Sequence, residues 1–285
     1  MARSSVRSLL ALHAHPDDES SKGAATVARA SAAGVKCVLV TATGGEAGDI
    51  LNPAMDRLEV RENLAEYRRK ELAEAAAIIG FDEVVELGYR DSGMPDTADN
   101  HHPDALVNAP FEEVLGAVVA VVRRVRPEVI LGYDSHERYP HPDHLMVHRL
   151  GVAAYEAAAD PTRFPEAGPA WAADRLFAPT FTARRIQALH QAALDNGYES
   201  PFARWIDSID DFGGDDKQVV SVDVSDTLEV GRAALRAHRT QVDPDGGWFT
   251  LPTEVVVATY PYEDFEVLAS RRPVTADATD LFDQD

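Results

Sequence analysis

Two short stretches carry the residue types that can do chemistry. One is Ala14-His15-Pro16-Asp17-Asp18-Glu19; the other, far along the chain, is Tyr139-Pro140-His141-Pro142-Asp143-His144. Each joins His-Pro to carboxylates. His and carboxylate are ordinary zinc ligands, and a catalytic zinc keeps three protein ligands and one open position. His15, Asp17, Asp18 and Glu19 together with His141, Asp143 and His144 offer more than that. Two His and one Asp can hold a metal, which leaves a carboxylate and a His for proton transfer. Such a site supplies an acidified water and a polarised carbonyl. A carboxylate can then take the water's proton, and a His can donate to a leaving amine or stabilise an oxyanion. That is metal-assisted amide hydrolysis. Taken singly, each stretch has a plainer reading: Asp17 to Ser20 suits a helix N-cap, and His-Pro-Asp-His suits a solvated helix start.

The elements that must position these residues follow from pattern. Residues 6–13, 35–41, 83–87 and 129–133 read as buried strands. Residues 20–33, 57–79, 111–126 and 141–159 read as helices between and after them, with Gly34, Gly80 and Pro127 as stops. Strand and helix alternating in this way predict an α/β fold, a Rossmann-like, mostly parallel sheet with helices on both faces. Ligands of such sheets bind at the carboxyl ends of strands, and both His-Pro stretches follow strands. Beyond residue 160 the pattern loosens. A strand within 171–181, a helix over 183–196, a strand over 218–224, a helix over 226–241 N-capped by Ser225, and a last strand over 253–259 are expected, with turns at 213–216 and 243–247. The organisation expected is a single catalytic α/β domain over 1–275. Its core is 1–160, and 161–275 completes it and caps the active site. An acidic tail, 276–285, is expected to fray.

Composition bounds the function. The chain has 285 residues, 45% hydrophobic and 26% charged, and a net charge of −21. Such an acidic chain is expected to bind neither nucleic acid nor an anionic membrane surface. Its one cysteine, Cys37, excludes an intrachain disulfide and reads as a core thiol. No run of about 18 apolar residues predicts a membrane span. The apolar run after Arg3 and Arg7 is short for a signal peptide, so a cytoplasmic location is expected.

The two stretches together resemble the LmbE-like (PIG-L) zinc-dependent amidases and deacetylases, and within them the mycothiol S-conjugate amidases. The resemblance extends to His13 through Thr26, Gly44-Gly45-Glu46, Ile50 through Pro53, Arg68-Arg69-Lys70-Glu71, Asp91-Ser92-Gly93 and Thr240 through Phe249. It implies one zinc ion (Zn2+) per chain, held by His15, Asp18 and His144; a His₂Asp set also accepts Fe2+ or other divalent ions. It further implies Asp17 as general base and His141 as general acid or oxyanion stabiliser, tuned by Asp143. Tyr139 is implied as a mobile tyrosine assisting the tetrahedral state. Lys22, Arg68, Asp91 and Glu46 would contact the substrate, a small-molecule thiol conjugate. Lys22 stands where the amidases have Lys and the related deacetylase has Ser. Without the resemblance, Arg68 and Lys22 read as surface charge and Asp91 as a turn residue. Glu19 is expected to serve the helix start, and His238 to be structural. In one place the chain departs from the family: Ser135-His136-Glu137-Arg138 replaces a usual Gly-Gly pair ahead of Tyr139. The reactions this implies are cleavage of a mycothiol S-conjugate to a mercapturic acid and glucosaminyl-inositol, deacetylation of N-acetylglucosaminyl-inositol, or a dedicated amidase step on a mycothiol-conjugated natural product. A non-catalytic sugar-binding module with a vestigial metal site is the rival from another class.

Overall fold

The computed structural model describes residues 7–135, 139–209 and 217–282. Seven strands form one sheet: β1 (Ser8–His13), β2 (Lys36–Thr43), β3 (Glu83–Tyr89), β4 (Val129–Leu131), β5 (Arg175–Thr180), β6 (Val219–Asp223) and β7 (Tyr262–Ser270). Their order is β3-β2-β1-β4-β5-β7-β6. The first five are parallel, and β7 runs antiparallel to both β5 and β6. The helices are α1 (Asp18–Ser21), α2 (Ala24–Ala32), α3 (Leu58–Glu62), α4 (Leu64–Ile79), α5 (Phe111–Val125), α6 (Pro142–Ala159), α7 (Ala183–Asp195), α8 (Ala203–Ile206), α9 (Leu228–Ala237) and α10 (Thr253–Thr259).

The apolar run of β1 is buried on both sides because side chains alternate across a strand. Leu10 and Leu12 pack with Val118 and Val122 of α5 and Leu150 of α6. Leu9 and Ala11 pack with Val27 of α2, Leu72 and Ile79 of α4, and Ala234 of α9. Helices therefore cover both faces, and the second half of the chain extends the same sheet. Cys37 lies in that core, where burial pushes its thiol up to about 12.

Four details differ from the pattern-based expectations. The helix expected over 20–33 is two, α1 and α2, broken at Gly23, whose φ of +91° suits a residue without Cβ. The long charged helix likewise divides at Asn63 into α3 and α4. Residues 253–259 form α10 rather than a strand. The Val255-Val256-Val257 run favours strand locally, but Val255 and Val256 pack with Leu189 of α7 and with Tyr260, and that context prevails. The last strand is instead β7, whose acidic composition hid it. Its buried Asp264 accepts hydrogen bonds from Thr182, Ser221 and Tyr260 hydroxyls, which makes an internal carboxylate tolerable. Ser225 does not cap α9, which starts after Thr227; its hydroxyl donates to Asp223.

The acidic tail is also corrected. Leu281 and Phe282 are buried against the α2/α4/α9 face, Arg175 donates to the Leu281 carbonyl, and the Arg7 guanidinium lies 5.6 Å over the Phe282 ring. Two apolar side chains anchor the segment as far as residue 282 despite its acidity. Phe282→Ala should lower stability by about 3 kcal/mol, read as a shift of the urea midpoint at constant m. An unchanged midpoint would show that the tail does not pack.

Candidate functional site

Strand order places the site. The chain leaves β1 toward β2 on one side and reaches β4 on the other, so the β1–β4 boundary is where strand order reverses. Loops diverge there and open a crevice at the carboxyl ends. The loop after β1 carries His15 to Asp18 into α1. The loop after β4 leads to His141, the N-cap of α6, whose Nδ1 accepts the Asp143 N–H at 3.2 Å. Pro142 takes the first helical position, where its missing N–H costs nothing. Asp143 and His144 then lie in the first turn, facing His15.

His15, Asp18 and His144 converge. His15 Nδ1 is 3.2 Å from His144 Nε2 and 3.6 Å from Asp18 Oδ2, and Asp18 Oδ1 is 3.6 Å from His144 Nε2. A tetrahedron with bonds of about 2.0–2.1 Å has edges near 3.4 Å, and the two imidazole nitrogens and the Asp18 carboxylate, which meets His15 through Oδ2 and His144 through Oδ1, lie close to that spacing. All three residues are buried. A second group, His15, Asp91, His141 and Asp143, also has donor atoms close together. The two groups use opposite nitrogens of His15. On the Nε2 side Asp143 lies at 3.2 Å and Asp91 at 3.6 Å. Asp143 is fully buried and is already anchored by the Ser92 N–H and hydroxyl. A carboxylate fixed at Nε2 selects the Nε2–H tautomer and turns the Nδ1 lone pair toward Asp18 and His144, the outer-shell arrangement of metal-binding histidines. The donor set thus fits a divalent cation at the first group.

Charge balance agrees. Burial alone would lower the His15 imidazole, but Asp143, Asp18 and Asp91 around it hold it well above its usual value. Burial alone would raise the Asp18 carboxyl, but Lys22 at 2.7 Å, His144 and His15 hold it well below. Asp91 is likewise depressed: His15, Gly93 N–H and His141 outweigh its burial. Carboxylates kept ionised in a buried cleft mark a place for positive charge.

Asp17 sits beside this cluster in an unusual backbone conformation, φ 119°. Non-glycine residues in the left-handed region are strained and cluster at functional sites. Two partners hold it. Its N–H donates to Glu19 Oε2 at 2.9 Å, and its Oδ2 accepts from Arg68 Nη2 at 2.9 Å. Burial raises the Asp17 carboxyl, Arg68 opposes that, and Asp18 reinforces it. Arg68 is fully enclosed, donating also to the Gly45 and Pro16 carbonyls. Gly45 has φ +67°, and a Cβ there would overlap the guanidinium, so this position needs glycine.

The structure brings every candidate residue to this end of the sheet, with contacts that modify several expected roles. Arg68 and Asp91 are 3% and 2% exposed. Arg68 holds Asp17, and Asp91 flanks the His15 and His141 imidazoles. Asp143 addresses His15 with its carboxylate, whereas its link to His141 runs through its backbone N–H. Asp91 Oδ1 is the carboxylate oxygen near His141 Nε2, at 3.7 Å. Tyr139 is half-exposed, its ring 5.3 Å from His144 and 6.1 Å from His141. Lys22 lies 5.2 Å over the Tyr133 ring and bonds Asp18. Glu46 is partly buried, and its Oε2 has no hydrogen-bond partner among the described residues. Residues 136–138, where the chain departs from the family pattern, and the turn expected at 213–216 lie outside the described residues.

Three features escaped sequence reasoning. Ser92, inside the Asp-Ser-Gly motif, anchors Asp143. Glu71 accepts the Thr240 N–H and hydroxyl, while the Leu51 N–H donates to the Thr240 carbonyl; three family-like segments thus brace one another. Glu19 does serve its helix start, through Asp17, but it also forms a buried pair with His238 at 2.6 Å. No local pattern signals contacts between residues so far apart in sequence.

An α/β sheet with a buried His/Asp cluster at its switch point defines a class of candidate metal hydrolases, and the comparisons narrow it. Residues 10–155 match the PIG-L family model, described as GlcNAc-PI de-N-acetylase. A Streptomyces coelicolor protein named mycothiol S-conjugate amidase is 40% identical, covering 96% of each chain. A Streptomyces avermitilis protein named 1D-myo-inositol 2-acetamido-2-deoxy-alpha-D-glucopyranoside deacetylase is 39% identical, covering 97% of each. Among solved structures, N,N'-diacetylchitobiose deacetylase from Pyrococcus horikoshii aligns over 93% of this chain and 84% of its own, with a TM-score of 0.62 at 19% identity. A 4-carboxy-2-hydroxymuconate hydratase from Pseudomonas putida aligns over 95% and 99%, with a TM-score of 0.61 at 16% identity. The fold therefore hosts more than one reaction. The chain belongs to the PIG-L family, and it is a hydrolase of amide bonds.

The Glu19–His238 pair generates a stability prediction. Burial opposes both charges, but each partner, His238 for Glu19 and Glu19 for His238, shifts the other toward ionisation: Glu19 is lowered and His238 raised. The Glu contribution is present above its unfolded pKa, about 4.3, and is lost as pH falls through the folded value. The His contribution is full below about 6.5 and is lost as pH rises through its folded value. His238→Ala leaves Glu19 buried without its partner and should cost about 3–5 kcal/mol, most between about pH 4.5 and 6.5. Urea melts across pH check this; a penalty that does not vary with pH would show that the pair is not ionised.

Proposed function

We propose that the protein is a zinc-dependent amidase that cleaves mycothiol S-conjugates into a mercapturic acid and glucosaminyl-inositol. The observation that carries this reading is Lys22, which reaches Asp18 within the site and occupies the position that is Lys in the amidases it resembles. Deacetylation of N-acetylglucosaminyl-inositol is the second reading, supported by relatives of that name at 39–40% identity. A dedicated amidase acting on a mycothiol-conjugated natural product is a narrower form of the first. The ligands, general base, general acid and substrate contacts assigned below belong to this proposal.

His15, Asp18 and His144 would hold the cation, which supplies Lewis acidity and an acidified water. Asp17 is the general base. Its carboxyl is raised by burial while Arg68 keeps it in reach of ionisation, so it can take a proton from the attacking water at neutral pH. His141 stands on the opposite side. Its Nδ1 is occupied by the Asp143 N–H, so Nε2 is the nitrogen that bears the proton and delivers it to the leaving amine. Burial and His15 lower its pKa, which makes the protonated ring a readier acid. Tyr139, on the rim, can donate to the developing oxyanion. Glu46 borders a cavity of ≈520 Å³ shared with Tyr89, Arg90, His102 and Asp104, a polar recess suited to sugar and inositol hydroxyls.

Asp17→Ala separates catalysis from metal binding. It should retain about one zinc per chain and lose roughly 10²–10⁴ of kcat on a mycothiol–bimane conjugate. Unchanged turnover would remove Asp17 from the mechanism. In the parent enzyme, that conjugate should be cleaved much faster than N-acetylglucosaminyl-inositol is deacetylated; the reverse order would replace the amidase reading with the deacetylase.

A further inference from the structure

A second cavity, of ≈360 Å³, is lined by Ser20 and Ser21 of α1 and by residues of α7, α8 and α9. Its wall pairs aromatic rings with guanidinium groups. Arg185 lies 4.8 Å over the Phe181 ring and Arg204 lies 5.6 Å over Trp205, while Trp205 packs edge-on to Phe181 at 6.0 Å. Trp248 completes the mouth, half-exposed.

The charges of this wall run against those of the molecule. The chain carries 48 acidic residues against 27 Lys and Arg, yet neither Arg185 nor Arg204 has a carboxylate partner among the described residues, and the buried Arg185 Nε has no hydrogen-bond partner there. The one acid on the wall, Glu263, is consumed by the Thr26 N–H and hydroxyl. The third arginine, Arg232, is held by the Leu251 carbonyl and Glu229. Two guanidinium groups stacked on aromatic rings beside apolar space suit a planar aromatic ligand that carries an anion.

The cavity adjoins the chemistry through one short relay. Ser21 lines it, the Lys22 ammonium lies 3.4 Å from Ser21 Oγ, and the same ammonium is 2.7 Å from Asp18 Oδ1. In an S-conjugate the sulfur sits about 4 Å from the scissile carbonyl carbon, three bonds away. A substituent on that sulfur extends away from the scissile bond, and Lys22 and Ser21 are the side chains that link the site to the cavity. We propose that this cavity receives the group carried on the substrate's sulfur and selects planar aromatic groups bearing a carboxylate or sulfonate. The proposal rests on the amidase reading above and adds to it the class of conjugate preferred.

The test compares two conjugates, S-methyl and S-(4-carboxybenzyl) mycothiol, on the parent enzyme and on Arg185→Met/Arg204→Ala. The parent should favour the carboxybenzyl conjugate in kcat/KM. The double variant should reduce that preference roughly tenfold, mainly through KM, as expected for lost charge-assisted contacts. Trp205 and Trp248 give a second readout: quenching of tryptophan fluorescence by S-(4-carboxybenzyl)-N-acetylcysteine should saturate in the parent and require roughly tenfold more ligand in the variant. An unchanged preference and unchanged quenching, in a variant with a native circular-dichroism spectrum, overturn the cavity assignment. Failure of the parent enzyme to cleave either conjugate overturns the amidase reading instead, before any variant is compared.

Discussion

Buried carboxylates must meet positive charge, and that requirement organises this molecule. Asp18, Asp91 and Asp143 lie almost wholly out of water around the single imidazole of His15. Isolated, each would neutralise itself or destabilise the fold. Here the imidazoles, the Lys22 ammonium and the Ser92 donors keep Asp18 and Asp91 ionised and Asp143 fixed, and a divalent cation at the converging donors would complete the balance. Arg68 plays the same part for Asp17, and His238 for Glu19. The site is therefore two layers deep: groups that face the crevice, and buried counter-charges that fix their direction.

The sheet makes this affordable because parallel strands end together. Pairing of β1 with β4 brings two loops from distant parts of the chain to one edge. The ends of β2 and β3 add Gly45 and Asp91 from the side. The second half of the chain does not stand apart: β5, β7 and β6 extend the sheet, α9 carries the chain to His238, and Thr240 reaches Glu71 two residues beyond. Strained Asp17 can persist because Glu19, Arg68 and their own partners over-determine it.

Much of this was legible in residue pattern. The alternation of strands and helices, and the position of both His-Pro stretches after strands, gave the parallel sheet and the meeting of the two stretches, while the choice of His15, Asp18 and His144 among their residues came from the family resemblance. What escaped had a common physical origin, since contacts between distant segments leave no local trace. The valine run at 255–257 favours strand by propensity and is overruled by packing on α7. Asp264 argues against a strand until its three hydroxyl donors are seen. Leu281 and Phe282 look like a solvated acidic end until their binding face is known. On pattern alone Arg68 looks like surface charge and Asp91 like a turn residue, whereas both are buried, Arg68 against Asp17 and Asp91 beside the imidazoles.

With Asp143 holding His15 Nε2, Nδ1 is the nitrogen that would face a bound cation. Anomalous diffraction at the zinc edge from crystals of the zinc-loaded protein tests it most directly. A single peak is expected about 2.0–2.2 Å from His15 Nδ1, His144 Nε2 and a carboxylate oxygen of Asp18. A peak bound instead by His15 Nε2 with Asp91, His141 or Asp143 would contradict it.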